Sequence, residues 1–161
     1  MGGMPDGEMK WRTSDSSLSG FESYKTIEIL YNFPNGIKSD GTHYGGATRS
    51  AFLPASPEGI LIFHMLLDAF RKRLSFLVGD SLTTGAKNVV VWAGIHHKSS
   101  RYGGQFGYPD ATYLNRVKEE LKSRDVDEDS IQDIKLNLAK GYVQGSMSLK
   151  GKHFNFKDDT A

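Results

Sequence analysis

Cysteine is absent from the 161 residues, which excludes disulfides, a thiolate nucleophile, cysteine-based zinc sites and a RING within this chain. Charge of one sign is lacking too. Lys and Arg number 20 against 19 Asp and Glu, so no net field draws the chain to nucleic acid or an anionic membrane, and a polyanion would have to meet a local site. No apolar run approaches the roughly 18 residues of a membrane span, and no basic-then-apolar leader opens the sequence. Asp6 stands where a myristoylation signal wants Ser or Thr. These absences predict a soluble cytosolic or nuclear protein. A chain of this length forms one domain with a real core, since such domains remove roughly two-thirds of their unfolded surface from water. Residues 1–4 read as an expression remnant ahead of it.

Periodicity supplies the elements. Residues 1–24 are polar and rich in Gly and Ser, and read as an extended lead-in without a helix. In "KTIEILYNF", Ile27, Ile29, Tyr31 and Phe33 share one face of a strand while Thr26, Glu28 and Leu30 share the other. Pro34-Asn35-Gly36 ends it, and a glycine-rich loop returns into the short strand "SAFLP". Ser56-Pro57-Glu58 opens a helix to about Leu74, with Phe63, Leu67, Phe70 and Leu74 as the core-facing stripe and Arg71, Lys72 and Arg73 at the negative end of its dipole. His64 in this helix reads as a packed side chain. "LSFLVG" and "NVVVWA" are short and branched or aromatic, and pair across "DSLTTGAK". A second helix starts at Asp110 as its cap, with Leu114, Val117 and Leu121 facing inward. Beyond Asp127 the alternation of Ile134, Leu136 and Leu138, and of Phe154 and Phe156, fits a hairpin after a helical turn, although "SIQDIKLNLAKG" fits a helix as well.

Five histidines are present, and two of them are adjacent. Neighbouring residues of an extended chain point to opposite faces, so His96 and His97 divide their labour: one faces a cleft, the other holds the loop or meets solvent. No further ligands stand at zinc spacing, and no metal is expected. Ser81, His96 and Asp110 would make a hydrolytic triad on paper, but no G-x-S-x-G elbow accompanies them. Gly79, Gly85, Gly103, Gly104 and Gly107 let backbone amides approach an anion such as a diphosphate, and Trp92, Tyr102, Phe106 and Tyr108 offer flat faces for a base or a ribose. Turns and core packing explain the same residues equally well. Glu120 lies beside the apolar stripe of the second helix, placed either to pair with Arg116 one turn earlier or to accept a proton at a cleft edge, while Glu119 is the more solvated neighbour.

The ordered blocks "PDGEM", "SLSGFESYKTIEI", "SAFLP", "FLVGDSLTTG", "VVWAGIHHKSSRYGG" and "FGYPDATYLNRVKEEL" resemble the Deltex carboxy-terminal domain from about Pro5 to Asp127, with "SRYGG" and "RVKEEL" most similar to the Deltex-3 branch. Residues 128–161 are then a C-terminal extension without a counterpart. The resemblance implies a single α+β domain of mixed, mostly antiparallel strands with two principal helices. It also implies a pocket for ADP-ribose or NAD as ligand, with no cofactor required. His96 resembles the histidine that contacts the ligand, Ser81, Thr83 and Thr84 the loop lining the nucleotide, and Arg49 a further contact, alongside Tyr102, Gly107 and Tyr108. The implied partners are ADP-ribosylated proteins, a RING-containing ligase subunit and a ubiquitin-conjugating enzyme; nucleic acid is expected only if itself ADP-ribosylated, and no membrane. In the family's transfer reaction a ribose hydroxyl attacks the thioester at ubiquitin's terminal glycine. Glu120 matches the glutamate associated with deprotonation, and Phe106 stands where the family has His or Tyr; phenylalanine can stack but cannot move a proton. Two departures accompany it. The RING has to come from another chain or a longer parent, and the stretch from Gly36 to Arg49 lacks the family's His-Pro-Asn-Pro run, leaving His43. The alternative is a protein-interaction domain that has lost the nucleotide.

Overall fold

A computed structural model describes residues 3–127 and 144–158. The stretch expected as a plain lead-in contains strand β1 (Gly7–Ser14), and this strand is central. Met9 and Trp11 are buried while Lys10 and Arg12 are exposed, an alternation of two apolar residues too short to stand out from its polar surroundings. β1 pairs antiparallel with β2 (Thr26–Phe33), and β2 pairs with β5 (Ala47–Pro54). On its other side β1 pairs with β8 (Gln144–Lys150), which turns back into β9 (His153–Asp158). The sheet order is β5-β2-β1-β8-β9. Residues 144–158 of the C-terminal extension are therefore part of the main sheet, and Phe154 and Phe156 stand on a hairpin strand as their alternation suggests. Ile134, Leu136 and Leu138 lie outside the described residues.

Ile27, Ile29, Tyr31 and Phe33 are all buried on one face of β2, as their spacing predicts. Against that face packs α1 (Pro57–Arg71): Phe63 meets Trp11 edge-on at 5.7 Å, and Phe70 meets Tyr31 at 5.7 Å and Phe33 at 6.1 Å. Ser56 caps the helix, its Oγ accepting from the Gly59 N–H at 3.1 Å. The helix stops three residues short of Leu74 because Arg73 turns left-handed, with φ 61°. The Arg73 guanidinium donates to the carbonyls of Met4 and Gly151, each at 2.7 Å, and to Asp6. Arg73 thus binds the start of the chain and the β8–β9 turn to the end of α1, and Met4 is itself buried. His64 is half-buried, edge-on to Phe63.

A two-residue hairpin, β3 (Gly36–Ile37) with β4 (His43–Tyr44), occupies the glycine-rich loop. Strands β6 (Phe76–Gly79) and β7 (Val89–Trp92) pair antiparallel as expected, and Phe76 stacks on Trp92 at 4.5 Å while meeting Phe33 of the main core at 4.7 Å. Helix α2 (Tyr113–Lys122) buries Leu114, Val117 and Leu121. Its cap falls two residues later than expected, at Thr112. Asp110 does not cap it; Thr112 holds the cap position and makes no side-chain cap bond. The Asp110 carboxylate is occupied elsewhere, by Lys98 at 2.8 Å, by Arg116 and by the Thr112 N–H and hydroxyl.

Candidate functional site

His96 and His97 leave β7 on an irregular segment and diverge. His97 is buried, with Nδ1 2.8 Å from the Ile95 carbonyl and Nε2 2.8 Å from the Tyr31 hydroxyl. A carbonyl only accepts, so Nδ1 carries the proton and Nε2 accepts from Tyr31. The ring stacks on Trp92 at 4.5 Å. Burial holds His97 neutral, pushing its pKa down to about 4, and drives the Tyr31 hydroxyl well above its ordinary range. His97 is the structural partner.

His96 points out, its side chain 75% exposed. Helix α2 fixes it at three atoms. The Glu120 carboxylate accepts from the His96 backbone N–H at 2.8 Å and lies 2.5 Å from Nδ1, and the Tyr113 hydroxyl donates to the His96 carbonyl at 2.7 Å. Tyr113 and Glu120 are seven residues apart, two turns on one helix face. With Nδ1–H directed at the carboxylate, Nε2 is the ring nitrogen left facing outward. The pairing of Glu120 with Arg116 is not formed: Arg116 pairs with Asp110, and the Glu120 carboxylate meets His96.

The loop after the histidines is closed by its own backbone: Ser100 N–H to the Phe106 carbonyl at 2.9 Å, Gly103 N–H to Tyr108 at 3.0 Å, and Gly107 N–H to Gly104 at 3.4 Å. Gly103 and Gly104 take φ of 62° and 66°, a region that glycine enters at no steric cost. A Cβ on Gly107 would come 2.3 Å from the Gly103 carbonyl oxygen, so position 107 admits no side chain. Tyr102 and Phe106 project from this loop, 71% and 54% exposed. Tyr108 does not: it is buried, with its hydroxyl donating to the Phe52 carbonyl at 2.8 Å and its ring edge-on to Tyr113. The ring expected to face a ligand is core, and it supports the loop from beneath.

Ser81, Thr83 and Thr84 bond chiefly with their own turn. Ser81 Oγ lies 3.3 Å from Thr83 Oγ1 and accepts from the Thr84 N–H at 3.2 Å. Among the described residues no hydrogen bond joins this turn to His96. Arg49 stands opposite Tyr31 in the β2–β5 register, exposed, donating to the Thr48 carbonyl at 2.9 Å. His43 is exposed on the short β4 strand. Three residues that sequence reasoning missed hold the site: Tyr113, Lys98 and Arg101. Lys98 is buried between the glycine loop and Asp110, and Arg101 turns back to Glu28 and Ser14 over the Phe52 ring at 5.0 Å. The adjacent "HHK" was the one available signal for Lys98. A concavity of about 790 Å³ lies elsewhere, on the sheet face turned away from α1, lined by residues such as Lys10, Arg12, Glu28 and Lys157; none of the expected site residues borders it. No group of three potential metal ligands occurs among the described residues, and no described helix is long and apolar enough to cross a membrane.

An antiparallel sheet carrying two helices, with one imidazole held at the surface by Glu120, defines an α+β module. The Deltex C-terminal domain family matches residues 1–126, and the chain belongs to that family. It is 46% identical over 119 residues to the Homo sapiens protein named "Probable E3 ubiquitin-protein ligase DTX3", covering 70% of this chain and 34% of that one. To the Mus musculus E3 ubiquitin-protein ligase DTX4 it is 37% identical over 139 residues, 80% of this chain and 22% of the relative. The Xenopus laevis E3 ubiquitin-protein ligase DTX1 shares 38% over 138 residues, again 80% and 22%. The chain spans about a third of the length of DTX3 and about a fifth of DTX4 and DTX1.

Proposed function

We propose that this domain serves ubiquitin signalling by binding ADP-ribose or NAD at His96, recognising ADP-ribosylated proteins, and supporting transfer of ubiquitin to ADP-ribose when a partner supplies the RING and the charged conjugating enzyme. The observation that carries the reading is the two-point grip of Glu120 on His96. Glu120 keeps the proton on Nδ1, and Nε2 takes the proton of a ribose hydroxyl as that oxygen bonds to the carbonyl carbon of ubiquitin's terminal glycine. The thioester C–S bond breaks, and the conjugating enzyme's sulfur leaves as thiolate. Proton transfer by a positioned side chain is worth about 10²- to 10⁴-fold in rate. Phe106, exposed on the glycine loop, supplies a stacking face and no proton.

Titration with ADP-ribose tests the binding. Amide signals of residues 79–85 and 96–107 should move, and His96→Ala should abolish the movement; spectra unchanged at millimolar ligand remove the reading. For transfer, an isolated RING, a conjugating enzyme, ubiquitin and NAD are combined with the domain. Glu120→Ala should stop the adduct and Phe106→His should increase it.

A second reading, a protein-interaction domain without nucleotide, draws on the exposed Phe106 and Tyr102 rings and on the separate concavity of the open sheet face. Calorimetry with ADP-ribose separates the two, since only the first gives heat of binding.

A further inference from the structure

Lys98 is only 4% exposed, an unusual place for an ammonium, because removing a charge from water is costly unless it is paired and hydrogen-bonded. Its partners come from three directions. Nζ donates to the Gln105 carbonyl at 2.9 Å and to Asp110 Oδ2 at 2.8 Å, and lies 5.2 Å from the centre of the Tyr113 ring. The Lys98 carbonyl accepts from the Phe52 N–H of β5 at 2.9 Å. The buried charge therefore joins the glycine loop to the entry of α2, while the backbone of the same residue ties both to the edge of the main sheet.

The placement bears on His96 through α2. Tyr113 touches Lys98 with its ring and His96 with its hydroxyl, and Glu120 two turns later holds the imidazole. An apolar side chain would fill the same volume; only a donor can hold the Gln105 carbonyl, and Lys98 is the buried cation facing Asp110, beside the exposed Arg116. We propose that Lys98 is a positioning residue whose ammonium fastens loop 101–107 to α2 and so sets the rim of the site beside His96. Its effect on ligand rests on the reading that this loop borders an ADP-ribose cleft; its effect on the loop does not.

The absence of cysteine from the chain permits a selective test. Lys98→Met removes the ammonium. Lys98→Cys, alkylated with 2-bromoethylamine in denaturant and refolded, restores an ammonium at nearly the same reach. Amide hydrogen exchange and ADP-ribose titration are measured on both. In Lys98→Met the Gly103 and Tyr108 amides, whose bonds close the loop, should exchange about tenfold faster than any general change in β1 and β2, the factor that one charge-assisted hydrogen bond carries. The dissociation constant for ADP-ribose should rise by a similar factor, and the alkylated variant should recover both. Should Lys98→Met fail to fold, Asp110→Asn, which removes only the anion, should show the same selective exchange. Loop exchange that stays at the wild-type rate, or a folded alkylated variant without recovery, overturns the proposal. If the loop responds while wild type binds no ADP-ribose, the binding reading falls and the positioning role stands.

Discussion

Tyr31 and His97, 66 residues apart in sequence, share a buried 2.8 Å hydrogen bond that joins β2 to the histidine segment. The bond requires a neutral imidazole with Nε2 free to accept, and burial supplies that condition by lowering the His97 pKa to about 4. The unfolded histidine titrates near 6.5. Between those values the unfolded chain binds the extra proton, so His97 makes stability fall as pH drops from about 6.5 to about 4, by about 3 kcal/mol in all. Glu28 and Asp110 have lowered pKa values through Arg101, Arg12 and Lys98, and their contribution is lost only at lower pH, as it falls through their folded pKa values. Urea midpoints from pH 7.5 to 4.5 therefore stay above the loss from these two carboxylates, and comparison with a His97 variant isolates this histidine from the other four. His97→Gln should flatten the profile across that window; an unchanged slope would show that another group is responsible.

The grip of Glu120 on His96 makes a prediction about tautomers. Both groups facing the carboxylate are donors, the backbone N–H and Nδ1–H. A glutamine of the same shape offers one acceptor and one donor, so one contact must become donor against donor. Glu120→Gln should relieve this by moving the ring proton to Nε2, which removes the outward base. Nitrogen shifts of the His96 ring read the tautomer directly, and the same tautomer in both proteins would contradict the assignment.

Gly107 is predicted to be intolerant of any side chain. The obstacle to a Cβ is backbone, the Gly103 oxygen at 2.3 Å and the Tyr102 oxygen at 2.8 Å, and backbone cannot rotate aside. Gly107→Ala should cost about 1–3 kcal/mol, the range of overpacking, and should weaken ligand binding with it. Denaturant midpoints measure the first and calorimetry the second.

Where side chains repeat with the period of their element, the sequence was legible. Ile27, Ile29, Tyr31 and Phe33 marked β2, Phe63, Leu67 and Phe70 the inner face of α1, and Ser56-Pro57 its start. The opposition of His96 and His97 followed from the two-faced geometry of extended chain, and Glu120 was in view as a candidate. What escaped depends on contacts between segments distant in sequence. Asp110 looks like a cap by its place before a helical pattern, and only the arrival of Lys98 and Arg116 diverts it. Tyr108 looks like a loop ring until Phe52 takes its hydroxyl. β1 has too few apolar residues to announce itself, and its central place is set by partners on both sides.

The β8–β9 hairpin lies beyond the residues that match the family, yet Met147 is fully buried, opposite Met9 of β1 and Phe156 of β9. Phe156 in turn stacks on Trp11 at 5.8 Å. The hairpin therefore covers apolar surface that the rest of the domain cannot cover alone, and it pairs an edge of β1 that would otherwise offer unpaired backbone groups. Met147→Ala removes buried atoms from the centre of this arrangement and should cost about 2–5 kcal/mol. The exposed neighbour Lys150 is not in the core, and Lys150→Ala should stay within about 0.5 kcal/mol of wild type. Chemical denaturation compares the two. If Met147→Ala unfolds at the same urea concentration as Lys150→Ala, the hairpin is an appendage and the core ends with α2.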